Sequence, residues 1–317
     1  MRTLLVSLSF TALATAQITF HADAGKALVA ADAKAERIVE GRAFTEGTLW
    51  LPKTGQLLFT DIPKNQWLVW SQKDGCKEWK PSEGANGNTL DLDGNVISCQ
   101  HGSHNLVRHE ADGKATVLVS EHDGKPLNSP NDCAVRNDGS IWFTDPAYGL
   151  GKRKAEQPGR FVYRFDPATK ATTVVQQDFD QPNGLCFAPD HQRLYIADSG
   201  SKKRVGAFPV QADGTLGAAA FWMEGGADGI RCDAQGNLYT TANDGVRIYS
   251  ATGEKLAVIA LPEQPSNCAF GGEGFTTLFV SARTSVYSVQ LKVAGAAIPP
   301  ARAAAPAKAP KASGEKQ

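Results

Sequence analysis

Six side chains with oxygen donors recur at one position of a repeated pattern along this chain. They are Glu46, Asn86, Asn131, Asn183, Asp228 and Asn267. Two are carboxylates and four are amides, so the set offers oxygen but neither sulfur nor imidazole. Hard cations prefer such ligands, and calcium accepts neutral carbonyl oxygens beside carboxylates. Because the two negative charges would balance one divalent ion, the set indicates a calcium-type site if the six residues meet in space.

The spacing of these residues predicts how they meet. Each stands 11 or 12 residues before a short apolar segment, and the segments read LFTD, ISCQ, WFTD, YIAD, YTTA and FVSA. The intervals of 40, 45, 52, 45 and 39 residues suit one four-stranded propeller blade per repeat. Because the first strand of each blade lines the central channel of a propeller, the six side chains are expected to surround that channel. We call these six residues the channel ring.

A role in turns is the alternative explanation for the channel ring. Asn and Asp begin turns readily, and each ring residue is expected to stand at the start of an inner strand. Glu46 is a poor turn residue and yet takes the same position. This observation favours a shared role in the channel.

The local pattern predicts strands throughout the repeats. In the first repeat the predicted strands are Glu46 to Leu51, Gln56 to Asp61, Gln66 to Ser71 and Cys76 to Lys80. Matching hairpin turns in later repeats contain Asp93-Gly94, Asp138-Gly139 and Gln235-Gly236. The last repeat offers only three strands, so Ala35 to Glu40 is expected to supply its fourth and hide both edges. The predicted fold is an all-β, six-bladed β-propeller with four-stranded blades, the last blade closed by an N-terminal strand.

Composition along the chain predicts the domain organisation. Residues 1–16 resemble a secretory signal peptide, because Arg2 precedes an uncharged stretch and a small-residue site at Ala14-Thr15-Ala16. Residues 17–34 are expected to form a lead-in segment and residues 35–293 the propeller. Residues 294–317, rich in Ala, Pro and Lys, are expected to be a disordered tail. The protein is therefore expected to be exported to the periplasm or the extracellular space.

Charge and cysteine content narrow the function classes. Lysine plus arginine and aspartate plus glutamate both number 33, so no net field attracts the chain to nucleic acid or to anionic membrane. A small-molecule partner is expected instead, with no membrane contact in the mature form. The six cysteines leave two roles open, small buried apolar residues or disulfides. The chain contains no C-x-x-C spacing, which disfavours a thiolate zinc site.

Five motifs carry a resemblance to a known family. They read FTEGTLW (44–50), LNSPND (127–132), IWFTDPAYG (141–149), QPNGL (181–185) and ADG (227–229). In this order they resemble the gluconolactonase branch of the senescence-marker-protein, gluconolactonase and luciferin-regenerating-enzyme family. The resemblance extends over about residues 35–293.

The resemblance implies a six-bladed propeller with one divalent cation in its channel, usually calcium, with zinc, manganese or magnesium as alternatives. The metal contacts that it implies are Glu46, Asn131, Asn183 and Asp228. Asn86 and Asn267 then become substrate-facing candidates. Ser129 and Asp132 are further pocket candidates, and a turn cap is the alternative role of Asp132.

Two departures from the family pattern stand out. Thr48 occupies a position where relatives often carry proline. His104 and Asn105 stand where relatives commonly carry two arginines. The second difference predicts a substrate whose polarity differs from that of the usual sugar lactone.

The resemblance and the ring chemistry together favour metal-assisted hydrolysis of a lactone. The cation would polarise the ester carbonyl and stabilise the oxyanion. The attacking water would be held either by the cation or by Asp228, our candidate general base, although a carboxylate beside a dication is a weak base. His101 is a candidate proton shuttle, with a hydrogen-bonded loop histidine as its alternative role. A serine hydrolase is disfavoured because the chain has no G-x-S-x-G motif.

Two other functions suit the same ring. A calcium-dependent phosphotriesterase-like hydrolase would place a phosphoryl oxygen where the lactone carbonyl lies. A non-catalytic secreted binding propeller would use the cation for structure alone. Glu46 and Asp228 argue against the second, since a purely structural channel has little reason to gather two carboxylates.

Overall fold

The computed structural model describes residues 13–14, 17–300 and 302. Strands dominate this part of the chain, and its helices are four short 3₁₀ turns. The strands form six antiparallel sheets of four or five members, arranged as the blades of a propeller. The predicted fold is therefore confirmed.

The elements follow one another blade by blade. Ahead of the first blade lie β1 (Leu13–Ala14), β2 (Ile18–Phe20), the 3₁₀ helix η1 (Asp23–Ala27) and β3 (Ala35–Val39). Blade 1 contains β4 (Thr45–Leu51), β5 (Gln56–Asp61), η2 (Ile62–Lys64), β6 (Gln66–Ser71) and β7 (Gly75–Pro81). Blade 2 contains β8 (Ala85–Leu90), β9 (Val96–Gln100), β10 (Asn105–His109) and β11 (Ala115–Val119). A small hairpin of β12 (Glu121–His122) and β13 (Lys125–Pro126) leads on to blade 3.

The remaining blades repeat this order. Blade 3 contains β14 (Cys133–Val135), β15 (Ile141–Asp145), η3 (Tyr148–Leu150), β16 (Phe161–Phe165) and β17 (Thr172–Gln176). Blade 4 contains β18 (Pro182–Phe187), β19 (Arg193–Asp198), β20 (Arg204–Pro209) and β21 (Phe221–Glu224). Blade 5 contains β22 (Ile230–Cys232), β23 (Leu238–Ala242), β24 (Gly245–Tyr249) and β25 (Lys255–Ile259). Blade 6 contains β26 (Pro265–Gly271), η4 (Glu273–Phe275), β27 (Thr277–Ala282) and β28 (Ser285–Gln290).

The second strand of each blade is buried on both faces. In β9 and β15 every residue is buried, because neighbouring blades cover both sides of the sheet. Phe143 and Tyr163 stack at 5.1 Å in the cluster that joins blades 2 and 3. Burying an aromatic side chain of this kind contributes about 1.5 to 3 kcal/mol. This packing explains why the apolar segments of the repeat were its clearest sequence signal.

The hairpin between the first two strands of a blade lies at the face opposite the channel ring. In blade 2, Gly94 adopts a φ of 84° and donates its N–H to Asp91 O at 3.0 Å. Asp91 Oδ1 accepts the N–H groups of Asp93 and Asn95. Glycine tolerates this positive φ, as the Asp93-Gly94 signal predicted, and the Asp91 carboxylate adds hydrogen bonds that fix the turn.

An N-terminal strand closes the ring of blades. β3 pairs antiparallel with β28, and Val286 stands opposite Val39. The predicted closing segment, Ala35 to Glu40, is therefore confirmed with its end at Val39. The lead-in segment adds a feature that sequence did not suggest, because β2 pairs with β25 as a fifth strand of blade 5. Its three residues are too few to show a periodic pattern.

The predicted end segments are described only in part. The expected signal peptide, residues 1–16, lies outside the described residues apart from Leu13 and Ala14, which pair with β3. Residues 294–300 of the expected tail continue along the propeller, and Ala296 N–H donates to Cys232 O at 3.0 Å. Backbone hydrogen bonds hold this stretch, and the side chains of Ala296 and Ile298 pack against buried apolar clusters. Within the described chain no helix has the length and apolarity needed to cross a bilayer.

Candidate active site

The channel ring lies where the innermost strands begin. Four of its members are inside β4, β8, β18 and β26, and Asn131 and Asp228 each stand two residues before β14 and β22. Five of the six side chains are buried, and Asp228 is partly exposed. We call the face at which the inner strands begin the upper face. The six residues therefore share one face, as the repeat predicted.

Glycines after ring residues bring neighbouring inner strands together. Gly184 N–H donates to Asp228 O at 3.0 Å, and Gly87 N–H donates to Asn131 O at 2.8 Å. A Cβ atom at Gly184 would overlap the carbonyl oxygen of Asp228, so a side chain there would push blades 4 and 5 apart. The close approach of neighbouring inner strands around the channel ring therefore depends on glycine.

Five ring members line one cavity of about 500 Å³ at the upper face. They are Glu46, Asn86, Asn131, Asn183 and Asp228. The sixth, Asn267, is not part of this lining. Its Nδ2 donates to Glu46 Oε2 at 3.1 Å, so it orients a cavity carboxylate. We call this space the upper cavity.

Loops that join the second and third strands supply the walls of the upper cavity. Tyr148, Ser199 and Lys203 belong to these loops and line the cavity, together with His101. Sequence reasoning singled out His101 but missed the other three. Their position could have been predicted from the topology, because the loop after the second strand of a blade must lie at the face where the first strand begins.

Burial and nearby negative charge raise the pKa of both ring carboxylates. Burial, followed by the negative charge of Asp228, raises the pKa of Glu46 well above its usual range. Removal from water raises the pKa of Asp228 to about 7, against the favourable effect of the Asn183 amide. Both groups therefore resist ionisation unless a positive charge joins them.

Asp132 does not line the upper cavity. Its Oδ2 accepts from Arg231 Nη1 at 3.2 Å, and its Oδ1 accepts the Cys133 N–H at 2.9 Å. Both members of this ion pair are buried. The positive charge of Arg231 is therefore engaged by Asp132, whose own negative charge raises the pKa of both Glu46 and Asp228.

Ser129 also lies outside the upper cavity lining. Its Oγ donates to Pro146 O at 2.7 Å and accepts the Gly149 N–H at 3.0 Å. These bonds hold the loop that carries Tyr148 into the cavity. Ser129 thus supports a wall of the cavity from outside the lining.

His101 lines the upper cavity beside Asn86, with 3.3 Å between its Nε2 and Asn86 Nδ2. Burial, with a smaller effect of His104, lowers the pKa of His101 to about 4. The imidazole is therefore neutral near pH 7. Its pKa lies below the near-neutral range that the expected role as a proton shuttle requires. His104 does not line the cavity, and its Nδ1 lies 2.6 Å from Asn128 O.

Comparison with known proteins fixes the family. The sequence matches the family model described as SMP-30/Gluconolactonase/LRE-like region over residues 44–284. The chain belongs to this family. The resemblance seen in the motifs is therefore confirmed.

Relatives of the family match most of this chain. Gluconolactonase of Zymomonas mobilis is 29% identical over 293 residues, with 82% of each chain covered. The solved structure of a gluconolactonase from Xanthomonas campestris is 30% identical, with a TM-score of 0.82, and the match covers 89% of this chain and 96% of that one. The calcium-binding protein regucalcin from Agrobacterium tumefaciens shares the fold at 22% identity, with a TM-score of 0.69 and coverage of 81% and 94%.

The donor set of the upper cavity fits the cation that the family resemblance implies. Among the described residues no three His, Cys, Asp or Glu side chains form a metal-binding group. The ring instead combines two carboxylates with amides, which is a donor set for a hard cation rather than for a soft one. Glu46, Asn131, Asn183 and Asp228, the metal contacts that the resemblance implies, all line the same cavity.

A second cavity of about 500 Å³ lies at the lower face of the channel. It is lined by Arg231, by three cysteines and by part of the 296–300 segment, but by no ring residue. Two of these thiols, Cys186 and Cys232, stand 3.6 Å apart, and all six cysteines are unpaired. Because the convergent carboxylates lie elsewhere, we place the chemistry in the upper cavity.

Proposed function

We propose that this chain hydrolyses lactones in the upper cavity with a divalent cation held by Glu46, Asn131, Asn183 and Asp228. The observation that carries the proposal is the convergence of two carboxylates and three amides in one cavity. The gluconolactonases among its relatives support the reaction class. The proposed ion is calcium, with zinc, manganese or magnesium as alternatives.

A bound cation would supply Lewis-acid chemistry, worth several kcal/mol when an ester carbonyl becomes an oxyanion. The chain's own residues would do the rest. Asp228 is the partly exposed carboxylate at the cavity, so we assign it the task of orienting the attacking water. Asn86 would bind a substrate oxygen, with His101 behind it as a neutral hydrogen-bond partner.

The volume and lining of the upper cavity also restrict the size and polarity of the substrate. Its volume of about 500 Å³ is typical of small-molecule sites. The lining combines polar groups with apolar side chains, among them Phe44 and Ile62. We therefore propose a lactone that presents both hydroxyl groups and an apolar portion.

The decisive assay is hydrolysis of gluconolactone by the purified chain with and without EDTA, beside Glu46→Gln and Asp228→Asn. Both substitutions keep the side-chain shape and remove a negative charge. We expect EDTA to abolish turnover, calcium to restore it, and each variant to lose about 100-fold or more in kcat/KM. Wild-type rates in both variants with metal bound would overturn the proposal.

Assays of other substrates, run in parallel, distinguish the rival functions. Turnover of paraoxon without turnover of aldonolactones or aromatic lactones would instead support a phosphotriesterase. A loss of thermal stability in EDTA, without hydrolysis of any ester, would support a binding propeller.

We also propose that the protein is exported. The support is the signal-like sequence of residues 1–16. Cleavage after Ala16 would leave β2 in the mature chain. N-terminal sequencing of the secreted protein should begin at Gln17, and a full-length protein retained in the cytoplasm would contradict export.

A further inference from the structure

Three buried aspartates at the ends of second strands make the same pair of hydrogen bonds. Asp61 ends β5, Asp145 ends β15 and Asp198 ends β19, and each is at most 1% exposed. In each case the two carboxylate oxygens accept the backbone N–H groups of two consecutive residues. One side chain therefore fixes two successive peptide groups of a neighbouring loop.

The bonds have similar lengths in all three blades. The Asp61 carboxylate accepts the N–H groups of Ala43 and Phe44 at 2.9 and 3.1 Å. The Asp145 carboxylate accepts those of Asn128 and Ser129 at 2.8 and 2.7 Å. The Asp198 carboxylate accepts those of Asp180 and Gln181 at 3.3 and 3.0 Å. The donor residues stand three and two positions before Glu46, Asn131 and Asn183 respectively. Each aspartate thus holds the loop that leads directly to a proposed cation ligand.

The other blades differ at the same position. The second strand ends with Gln100 in blade 2, Ala242 in blade 5 and Ala282 in blade 6. In blade 5 the backbone holds the ligand segment instead, because Asp228 N–H donates to Thr241 O at 2.9 Å. The aspartate arrangement therefore accompanies three of the four proposed ligands. It does not occur in blades 2 and 6, whose ring residues are not proposed ligands.

Hydrogen bonds to a carboxylate are stronger than those between neutral groups. Loops are the more mobile parts of a domain, whereas a cation site needs its ligands in fixed places. A buried carboxylate that accepts hydrogen bonds from two adjacent backbone N–H groups is well suited to limit that motion. None of the three aspartates is among the residues that line the upper cavity.

We propose that Asp61, Asp145 and Asp198 are positioning residues that hold Glu46, Asn131 and Asn183 in the geometry of the cation site. This inference rests on the proposed function, because the cation belongs to it. The aspartates act on the cation only through the backbone of the ligand loops.

The test uses the full chain with Asp145→Asn, Asp198→Asn and Asp61→Asn. Each substitution keeps the shape but places an NH₂ group against a backbone N–H. The matched control is Asp233→Asn. Asp233 is also buried, and its Oδ1 accepts Gln235 N–H and Asn237 N–H at 2.9 Å, but it lies in a lower-face turn of blade 5.

Calcium binding is measured by titration calorimetry at a temperature where circular dichroism shows each variant folded. We expect the calcium Kd to rise about 10- to 100-fold in the three Asp variants and to stay unchanged in Asp233→Asn, although its Tm falls. If one variant does not fold, the other two carry the test. A wild-type Kd in the folded Asp variants, or equal weakening in Asp233→Asn, would overturn the positioning role alone. A wild-type chain that binds no divalent cation would overturn the proposed function as well.

Discussion

At the residue scale, the site is defined by two carboxylates, Glu46 and Asp228, that form no ion pair within the described part of the chain, although Lys203 lines the same cavity. Arg231 is buried nearby, but its guanidinium binds Asp132. Glu46 and Asp228 are left to face the upper cavity. Removing a carboxylate from water without an ion-pair partner is costly, so we expect each to take up a proton or to bind a cation. Competition between proton and cation would make the proposed site sensitive to pH.

The pKa shifts predict how stability depends on pH in the cation-free protein. Folding raises the pKa of Asp228 from 3.8 to about 7, so the folded state holds this proton more tightly than the unfolded chain. The stabilisation is present below the usual carboxyl range and is lost as pH rises through about 7. Between pH 5 and 8 in EDTA we expect Tm to fall by on the order of 10 °C.

Differential scanning fluorimetry across this pH range, with and without calcium, checks that prediction. Calcium should remove most of the fall at pH 8. Asp228→Asn should flatten the EDTA profile in part. Asp145, whose pKa burial raises to about 7, remains in that variant and titrates in the same direction. A Tm that rises with pH in EDTA would contradict the proposed state of the site.

At the element scale, the inner strands must approach closely for the ring to form. Gly184 is the clearest example, because its N–H donates to Asp228 O and its Cα hydrogen faces the next strand. Alanine at this position would force blades 4 and 5 apart. The ligand positions on β18 and ahead of β22 would separate as a result.

We expect Gly184→Ala to lower the free energy of unfolding by about 1 to 3 kcal/mol and to weaken calcium binding about 10-fold or more. Denaturant unfolding and calcium titration measure the two effects. Gly55→Ala is a suitable control, because Gly55 lies in a lower-face turn with open space around it, although its positive φ adds some strain. Wild-type calcium affinity in Gly184→Ala would show that the close approach is not needed.

Sequence predicted the elements well because their signals are local. The apolar segments and the turn residues between them predicted the strands of blade 1 to within one residue at every end. β2 was not predicted, because a three-residue strand that pairs with β25 has no periodic pattern of its own. Its place is decided by a partner more than two hundred residues away.

Sequence predicted the site less completely. The repeat gave the channel ring, since its members share one offset from an apolar strand. Ser129 and Asp132 stand close to Asn131 in sequence, but they form hydrogen bonds with Gly149 and Arg231 and are not part of the cavity lining. Tyr148 and Lys203 line the cavity from loops whose course no periodicity describes.

At the scale of the whole molecule, closure makes the site possible. The four proposed cation ligands come from blades 1, 3, 4 and 5, so no single blade can assemble them. β3 completes blade 6 and brings it against blade 1, where Val39 packs with Phe59 and Phe279. A closed ring fixes all six inner strands around one axis, which is why residues almost two hundred positions apart, such as Glu46 and Asp228, can line one cavity.

An anomalous diffraction experiment on crystals soaked in manganese tests this account most directly, since manganese replaces calcium at oxygen sites. We predict one strong peak in the upper cavity, within coordination distance of Glu46, Asn131, Asn183 and Asp228. A protein that hydrolyses lactones but shows no peak there, or a peak bound by other residues, would contradict it.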